Sequence, residues 1–283
     1  MTSPLRYAGG KSRAKKIITP HVPEGTKRIV SPFAGGCSLE IHWANTLPVD
    51  EVVAYDIFPI LTNFWQELLK DPNGLADVLE TYKADKDSYY EYKEILQAHW
   101  DGKELIKNKV ELAAAYYYNH QLSYGPMFLG WASSVYCTEK AFQKIIEKVR
   151  AFRCPKLKVL EGSFETTIPK HQGDFLYLDP PYYLKEEKGN KMFKGIYPNS
   201  NWAIHHKGFQ HKKLSDLLHK HNGGYVLSYN NTPTIKDWYS DCQQLFPEWH
   251  YSFQQGETRI GKNRIEAGKT DVMKKSHEIL LVK

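Results

Sequence analysis

The spacing of apolar positions divides the chain into three stretches. "TKRIVSPF" (26–33) and "EVVAYDI" (51–57) are short apolar runs bounded by turn residues, and "SLEIHWANTL" (38–47) between them has helical spacing. Residues 26–57 therefore read as one strand–helix–strand unit. From about 60 to 152 the period is helical throughout: "LTNFWQELLK", "GLADVLETYK", "SYYEYKEILQAHW", "ELIKNKVELAAAYYYNH" and "EKAFQKIIEKVRAF" each repeat apolar residues at three- and four-residue intervals. Strand signals then return in "KLKVLEGSF" (156–164), "FLYLDPP" (175–181), "GYVLSYNN" (224–231) and "HEILLVK" (277–283), with a helix expected over "GFQHKKLSDLLHKH" (208–221). This alternation predicts an α/β fold with a largely parallel sheet, interrupted by a helical insertion. Ligands of such sheets bind beyond the carboxyl ends of the strands.

Two strand ends stand out. "SPFAGGCS" (31–38) follows the first strand and opens a helix, and Gly35 and Gly36 allow positive φ and close backbone approach to a ligand. Asp56 ends the next strand, placed to accept both hydroxyls of a ribose. The loop has neither the full G-x-G-x-x-G pattern nor a Walker lysine, which argues against a pyrophosphate or triphosphate cradle. The second is "LDPPYY" (178–183). Pro180 and Pro181 remove two backbone donors and stop the strand in a stiff extended loop. That loop carries a carboxylate, open carbonyls and aromatic faces, an inventory suited to a flat group bearing –NH2. "LRYAGGKSR" (5–13) adds a flexible turn followed by Lys11. "LEGSF" (160–164) puts Ser163 and Phe164 at another strand end, where a serine can bond a base edge and a phenylalanine can stack.

Composition narrows the picture modestly. The net charge of +6 and a pI near 8.9 are compatible with a polyanionic partner. The 19 tyrosines and 7 tryptophans fit either base stacking or an aromatic core. Cys37, Cys137, Cys154 and Cys242 include no C-x-x-C pair, so zinc is not expected, and a reduced compartment is. "HHKGFQHKK" (205–213) lacks the acidic and cysteine partners of a metal site and reads as basic surface. "MTSPLRYAGGKSRAKK" has no apolar core of signal-peptide type, and no run is long enough to span a bilayer. A cytoplasmic protein is expected.

Together the fragments resemble the Dam-like D12 class of DNA adenine-N6 methyltransferases. The stretches that carry the resemblance are "YAGGK" (7–11), "PFAGGCS" (32–38), "YDI" (55–57), "YNHQLSYGPMF" (118–128), "DPPY" (179–182), "SYNNT" (228–232) and "KKSHEILLVK" (274–283), in the family's order over nearly the whole chain. Members of Dam type carry an arginine where His120 stands, so the recognition sequence is left open.

The resemblance implies a Rossmann-like S-adenosylmethionine-dependent methyltransferase sheet, with a catalytic core at 1–59 and 153–283 and a helical target-recognition insertion at 60–152. S-adenosyl-L-methionine is the implied cofactor, against Tyr7, Lys11, the 32–38 turn (Pro32, Phe33, Ala34, Gly35, Gly36, Cys37, Ser38), Asp56, Ser163, Phe164 and Asp179. Catalysis falls to Asp179 and the Pro180 carbonyl, each accepting one N6–H of a flipped adenine, and to Tyr182 as a stacking face. Double-stranded DNA is the implied partner, read by Asn119, Tyr124 and Phe128 and held at its phosphates by Lys262 and Lys269 in the basic stretches "TRIGKNR" (258–264) and "AGKTDVMKK" (267–275). No metal or membrane is expected, and a monomer is, with a dimer on DNA as the alternative. The rival readings are an N4-cytosine methyltransferase, which usually has serine at the position of Asp179, an RNA methyltransferase, and a catalytically silent nucleic-acid-binding module.

Overall fold

The structure is a computed structural model and describes residues 1–125, 127–183, 208–247 and 278–283. Lys262, Lys269, His205, His206 and the two basic stretches lie outside the described residues. The described residues form a mixed α/β fold of Rossmann-like type whose seven strands group with their helices into two compact units.

The first unit comprises 1–10 and 27–163. Its strands β1 (Arg28–Ser31), β2 (Glu51–Asp56) and β3 (Leu157–Glu161) run parallel, with Ser31 opposite Ala54 and Asp56 opposite Glu161. The expected strand–helix–strand unit is present, with α2 (Ser38–Thr46) as its helix. The helical stretch holds α3 (Pro59–Lys70), α4 (Pro72–Glu80), α5 (Lys86–Trp100), α6 (Lys109–Leu122) and α7 (Glu139–Arg150).

Side-chain caps set several of these starts. Asp71, Asp85, Asn108 and Thr138 each accept a backbone N–H from the first turn of their helix. The Asn108 cap corrects the sequence reading: the helix expected from Glu104 begins only at Lys109, because Asn108 takes the amides of Val110 and Glu111 and fixes the boundary there. In α7 the buried residues are Phe142, Ile145, Ile146 and Val149, one apolar stripe of an otherwise charged helix. Helix α6 is instead buried from Ala113 to Leu122, and its Tyr117 stacks on Phe64 of α3 at 5.0 Å. Helix α3 also packs on β2 and β3. The helices between 60 and 152 thus group with the first three strands rather than with a separate body.

The second unit comprises 11–26 and 164–283. It contains α1 (Lys15–Ile18), α8 (Phe164–Lys170), β4 (Phe175–Leu178), α9 (His211–His219), β5 (Tyr225–Asn230), α10 (Pro233–Trp238), β6 (Gln243–Leu245) and β7 (Glu278–Val282). β4 and β5 are parallel and fully buried; β4 is apolar throughout, whereas β5 also buries Ser228 and Asn230. β7 is antiparallel to both β5 and β6, so the largely parallel expectation does not extend to it. Its first residue, Glu278, lies opposite Asn230, the last residue of β5. An antiparallel strand thereby brings its amino end to the carboxyl end of its neighbour. Four elements escape the sequence pattern: the short helices α1, α8 and α10, and β6, which is only three residues long; α8 begins where "LEGSF" reads as a strand end.

Candidate active site

In the first unit, chemistry-bearing groups gather around the turn between β1 and α2. The chain leaves β1 through Pro32 and Phe33, and the Ala34 amide bonds the Tyr55 carbonyl at 2.7 Å. Gly35 then adopts φ +44° and Cys37 φ +48°, both left-handed, before α2 starts at Ser38. Tyr7 lies against this turn: a Cβ on Gly36 would stand 2.6 Å from the Tyr7 Cβ, and one on Gly35 would stand 2.9 Å from its ring. Close approach thus demands both glycines, and φ demands Gly35 as well.

The Asp56 carboxylate closes the arrangement. One oxygen accepts the Gly35 amide at 3.0 Å and the other the Phe58 amide at 3.0 Å. The Trp65 indole donates to the Gly35 carbonyl at 3.0 Å. Cys37 is buried, and burial pushes its thiol well above the usual range, which leaves it unreactive. Ser38 is half-buried at the head of α2, and Ser163 lies in the turn after β3.

In the second unit, Asp179 follows β4 directly. Lys11 Nζ lies 2.7 Å from one Asp179 oxygen and 2.9 Å from the other, and it donates to the Tyr182 hydroxyl at 3.1 Å. Glu278 approaches the same ammonium at 3.7 Å, and the Tyr182 hydroxyl donates to its Oε1. Lys11 is 3% exposed and Glu278 0% at their side chains, whereas Asp179 keeps 22%. Burial works against the Lys11 charge, but Asp179 and Glu278 outweigh it and hold the ammonium above its ordinary pKa. Burial raises the Asp179 carboxyl, with Lys11 pulling it back. Burial also lifts Glu278 to about 7, against the pull of Lys11 and with a push from Asp179. Beyond Tyr182 the loop is clamped by Asn230, whose side-chain amide both accepts from the Tyr183 amide and donates to the Tyr183 carbonyl, each at 2.8 Å.

The left-handed glycine turn with an acid at the end of the next strand, and the D-P-P-Y loop at the end of β4, are the stretches on which the family resemblance rests. A family model for D12 class N6 adenine-specific DNA methyltransferases matches residues 7–253. The chain belongs to that family. It is a site-specific DNA methyltransferase acting on adenine.

Its curated relatives are distant. It is 23% identical to the type II methyltransferase M1.LlaDCHI of Lactococcus lactis subsp. cremoris, over 83% of this chain and 84% of that protein. It is 20% identical to the type II methyltransferase M.CviBI of Paramecium bursaria Chlorella virus NC1A, over 91% and 94%. It is also 20% identical to the modification methylase StsI of Streptococcus sanguinis, over 99% of this chain but 42% of that longer protein. The family implies S-adenosylmethionine as methyl donor and DNA as substrate. Among the described residues no helix is long and apolar enough to cross a membrane, and no group of three or more histidine, cysteine or acidic residues is placed to hold a metal.

Three of the methyltransferase's expected site residues behave differently from their sequence reading. Tyr182 is 5% exposed and its hydroxyl is engaged, so it offers little open face, while Tyr183 beside it is half-buried against His211 and Trp238. Asn119 is fully buried: its amide donates to the Tyr89 hydroxyl at 3.1 Å and accepts the Leu129 amide at 2.7 Å. It braces the loop after α6 and cannot reach a base in this conformation. Phe164 opens α8, buried against Phe209 at 5.1 Å, rather than lying open at a strand end.

Tyr124 does stand out, 66% exposed, while Phe128 is half-buried between Phe58 and Trp100. Trp131 is 70% exposed, and its only sequence signal was a large aromatic in a loop between two helices. Glu278 and Asn230 escaped assignment because their importance depends on strand pairing. The faint signal for each was a polar residue at the end of an otherwise apolar strand. His120 stacks on Tyr7 at 5.9 Å, and burial, assisted by the Arg6 charge, lowers its pKa to about 3. Held neutral in this way, it cannot do the work of the arginine that Dam-type members carry there.

Proposed function

We propose that the Asp179 carboxylate accepts an N6–H of an adenine flipped out of duplex DNA, and that Lys11 holds that carboxylate in place. The observation that carries this reading is the bidentate grip of a buried lysine on a strand-end acid that still keeps 22% of its side-chain surface. Each oxygen takes one bond from Lys11 and retains a lone pair for an incoming donor. Asp179 and the Pro180 carbonyl orient the amine so that its lone pair, otherwise delocalised into the ring, points at the methyl donor. The loop cannot sag during this step, because Asn230 holds the Tyr183 peptide from both sides.

The glycine turn suits S-adenosylmethionine on the chemistry of its donors. Asp56 is held by two backbone amides and stays half-buried, and its carboxylate is the acceptor type that ribose hydroxyls need. Tyr7 and the bare backbone at Gly35 and Gly36 complete the cradle, with Ser163 as a candidate at the base edge. When bound, the cofactor supplies an electrophilic methyl on a sulfonium that is itself a good leaving group. The chain's residues therefore need only bind, orient and exclude water.

DNA contact falls on Tyr124 and Trp131, the exposed aromatics of the loop after α6, with Phe128 behind them and Lys262 and Lys269 on the phosphates. The relatives' names place them among type II methyltransferases and modification methylases, and we assign this chain the same role in modifying a defined site. The enzyme acts in the cytoplasm as a monomer.

The test is Asp179→Ala, with tritiated-methyl incorporation into DNA, a thermal melt and calorimetry with S-adenosylmethionine. Loss of one preorganised polar group costs about 10²–10³ in rate. A folded variant that binds cofactor but does not methylate supports the assignment, and wild-type turnover by a folded Asp179→Ala removes it.

A further inference from the structure

Glu278 is a buried carboxylate that the reaction as described does not use. It stands at the first position of β7, opposite Asn230 on β5, and meets the active loop only because β7 is antiparallel. Its charged and titratable neighbours among the described residues are Lys11 at 3.7 Å, the Tyr182 hydroxyl bonded to its Oε1, and Asp179 across the shared ammonium. Asn230, its neighbour on β5, is neutral. Tyr177 of β4 bears on Lys11. One lysine therefore serves two carboxylates, closely on Asp179 and more loosely on Glu278.

We propose that Glu278 is a positioning residue for methyl transfer: it shares Lys11 with Asp179 and anchors Tyr182, so that Asp179 is loosened toward the amine of the target base. The proposal rests on the reading of Asp179 given above. With Glu278 ionised, Lys11 is drawn between two anions and grips Asp179 less tightly. The charges of Lys11, Asp179 and Glu278 then sum to one negative, which favours the positive charge that develops on N6 as the methyl arrives. With Glu278 protonated or replaced by glutamine, Lys11 neutralises Asp179 alone and the carboxylate becomes a poorer acceptor. Glutamine is close in shape to protonated glutamic acid, so pH and mutation act on the same feature.

The experiment is single-turnover methyl transfer from S-adenosylmethionine to cognate DNA between pH 6 and 8.5, for wild type, Glu278→Gln and Asp179→Asn. The wild-type rate is expected to rise through an apparent pKa near 7, where burial places Glu278. Glu278→Gln is expected to lack that rise, to match wild type near pH 6 and to fall behind it by about tenfold at pH 8, the scale of one charge-assisted hydrogen bond. Cofactor and DNA affinities of Glu278→Gln are expected to stay near wild type.

A gap of the same size at every pH means that Glu278 is merely structural and overturns the proposal, as does a wild-type profile in Glu278→Gln. Full activity in Asp179→Asn would instead sink the reading beneath it. If Glu278→Gln does not fold, wild type alone decides. A carboxylic-acid C=O infrared band that vanishes in step with the rising rate supports the proposal, and a flat rate or an unchanged band rejects it.

Discussion

The glycine turn of the first unit and the D-P-P-Y loop of the second both lie at the carboxyl ends of parallel strands, yet they are built from different materials. The turn is made of backbone. Its two left-handed residues, its bare Cα atoms under Tyr7 and the two amides on Asp56 surround one charged side chain. The loop is made of charge. Lys11, Asp179 and Glu278 come from three separate stretches of chain and share one proton-rich cluster with Tyr182. A backbone cradle tolerates a change of solvent pH and fails by steric intrusion. A buried charge cluster tolerates small changes of shape and fails when one charge is removed. The difference suits the roles proposed above, a turn that holds a nucleoside and a loop that responds to an incoming amine.

The largest effect is expected from the charge cluster. Lys11→Met leaves two buried carboxylates without their cation and should cost about 3–5 kcal/mol of stability. The loss depends on pH in a definite direction. Burial already raises the folded-state pKa of Asp179 and Glu278, and removing Lys11 raises both further. Folded protein then holds protons that the unfolded chain releases, so stability falls as pH rises from the unfolded carboxylate range through the folded values. Chemical denaturation of Lys11→Met at pH 5.5 and pH 8 should show most of the penalty at the higher pH. An equal penalty at both would mean that the cluster is not held by charge.

Next comes the one charge in the turn. Asp56→Asn keeps the shape but gives up the carboxylate, and each charged hydrogen bond is worth roughly 1.5–3 kcal/mol. Calorimetry should show weaker S-adenosylmethionine binding with little change in DNA binding. Unaltered cofactor affinity would remove Asp56 from the ribose.

Steric intrusion is a smaller test of the same contrast. Gly36→Ala should cost about 1–3 kcal/mol, the usual range for overpacking, because its Cβ would meet the Tyr7 Cβ at 2.6 Å. Tyr7→Ala retains that Cβ and should not relieve the clash, whereas Tyr7→Gly should. Thermal melts of the two double variants distinguish them, and equal rescue by both would show that the ring, not the Cβ, sets the contact.

The smallest effect concerns the loop after α6. Asn119→Ala should lower stability by roughly 1–2 kcal/mol, through the Leu129 amide it leaves unbonded, and should leave the ratio of cognate to one-mismatch methylation unchanged. Trp131→Ala should instead weaken DNA binding without lowering the melting temperature. The reverse pattern would return Asn119 to base reading.

The two sites were unequally legible in sequence. The turn announces itself because adjacent glycines after an apolar strand have few other uses, and a strand-end acid follows at short range. Asp179 was legible for a similar reason, since two prolines can end a strand but cannot continue one. Lys11 was visible as a motif residue. Its burial and its partner 168 residues away were not. Asn119 misled because a polar residue in a motif looks available, and only packing shows that its amide is already committed.

Sequence alone determined the local elements and their chemistry: the strand–helix–strand start, the helical stretch, the prolines that halt β4, and a family resemblance carried by short motifs at turns. These depend on residue type and spacing over a few residues, where sterics and period dominate. Tertiary structure decided which charges meet. The direction of β7 places Glu278 at the carboxyl end of β5 rather than at the far end of the strand, and no local pattern encodes direction, because side chains alternate identically in parallel and antiparallel strands. Whether a lysine is solvated or buried, and whether an asparagine reads a base or braces a loop, likewise depends on what the rest of the chain leaves beside it.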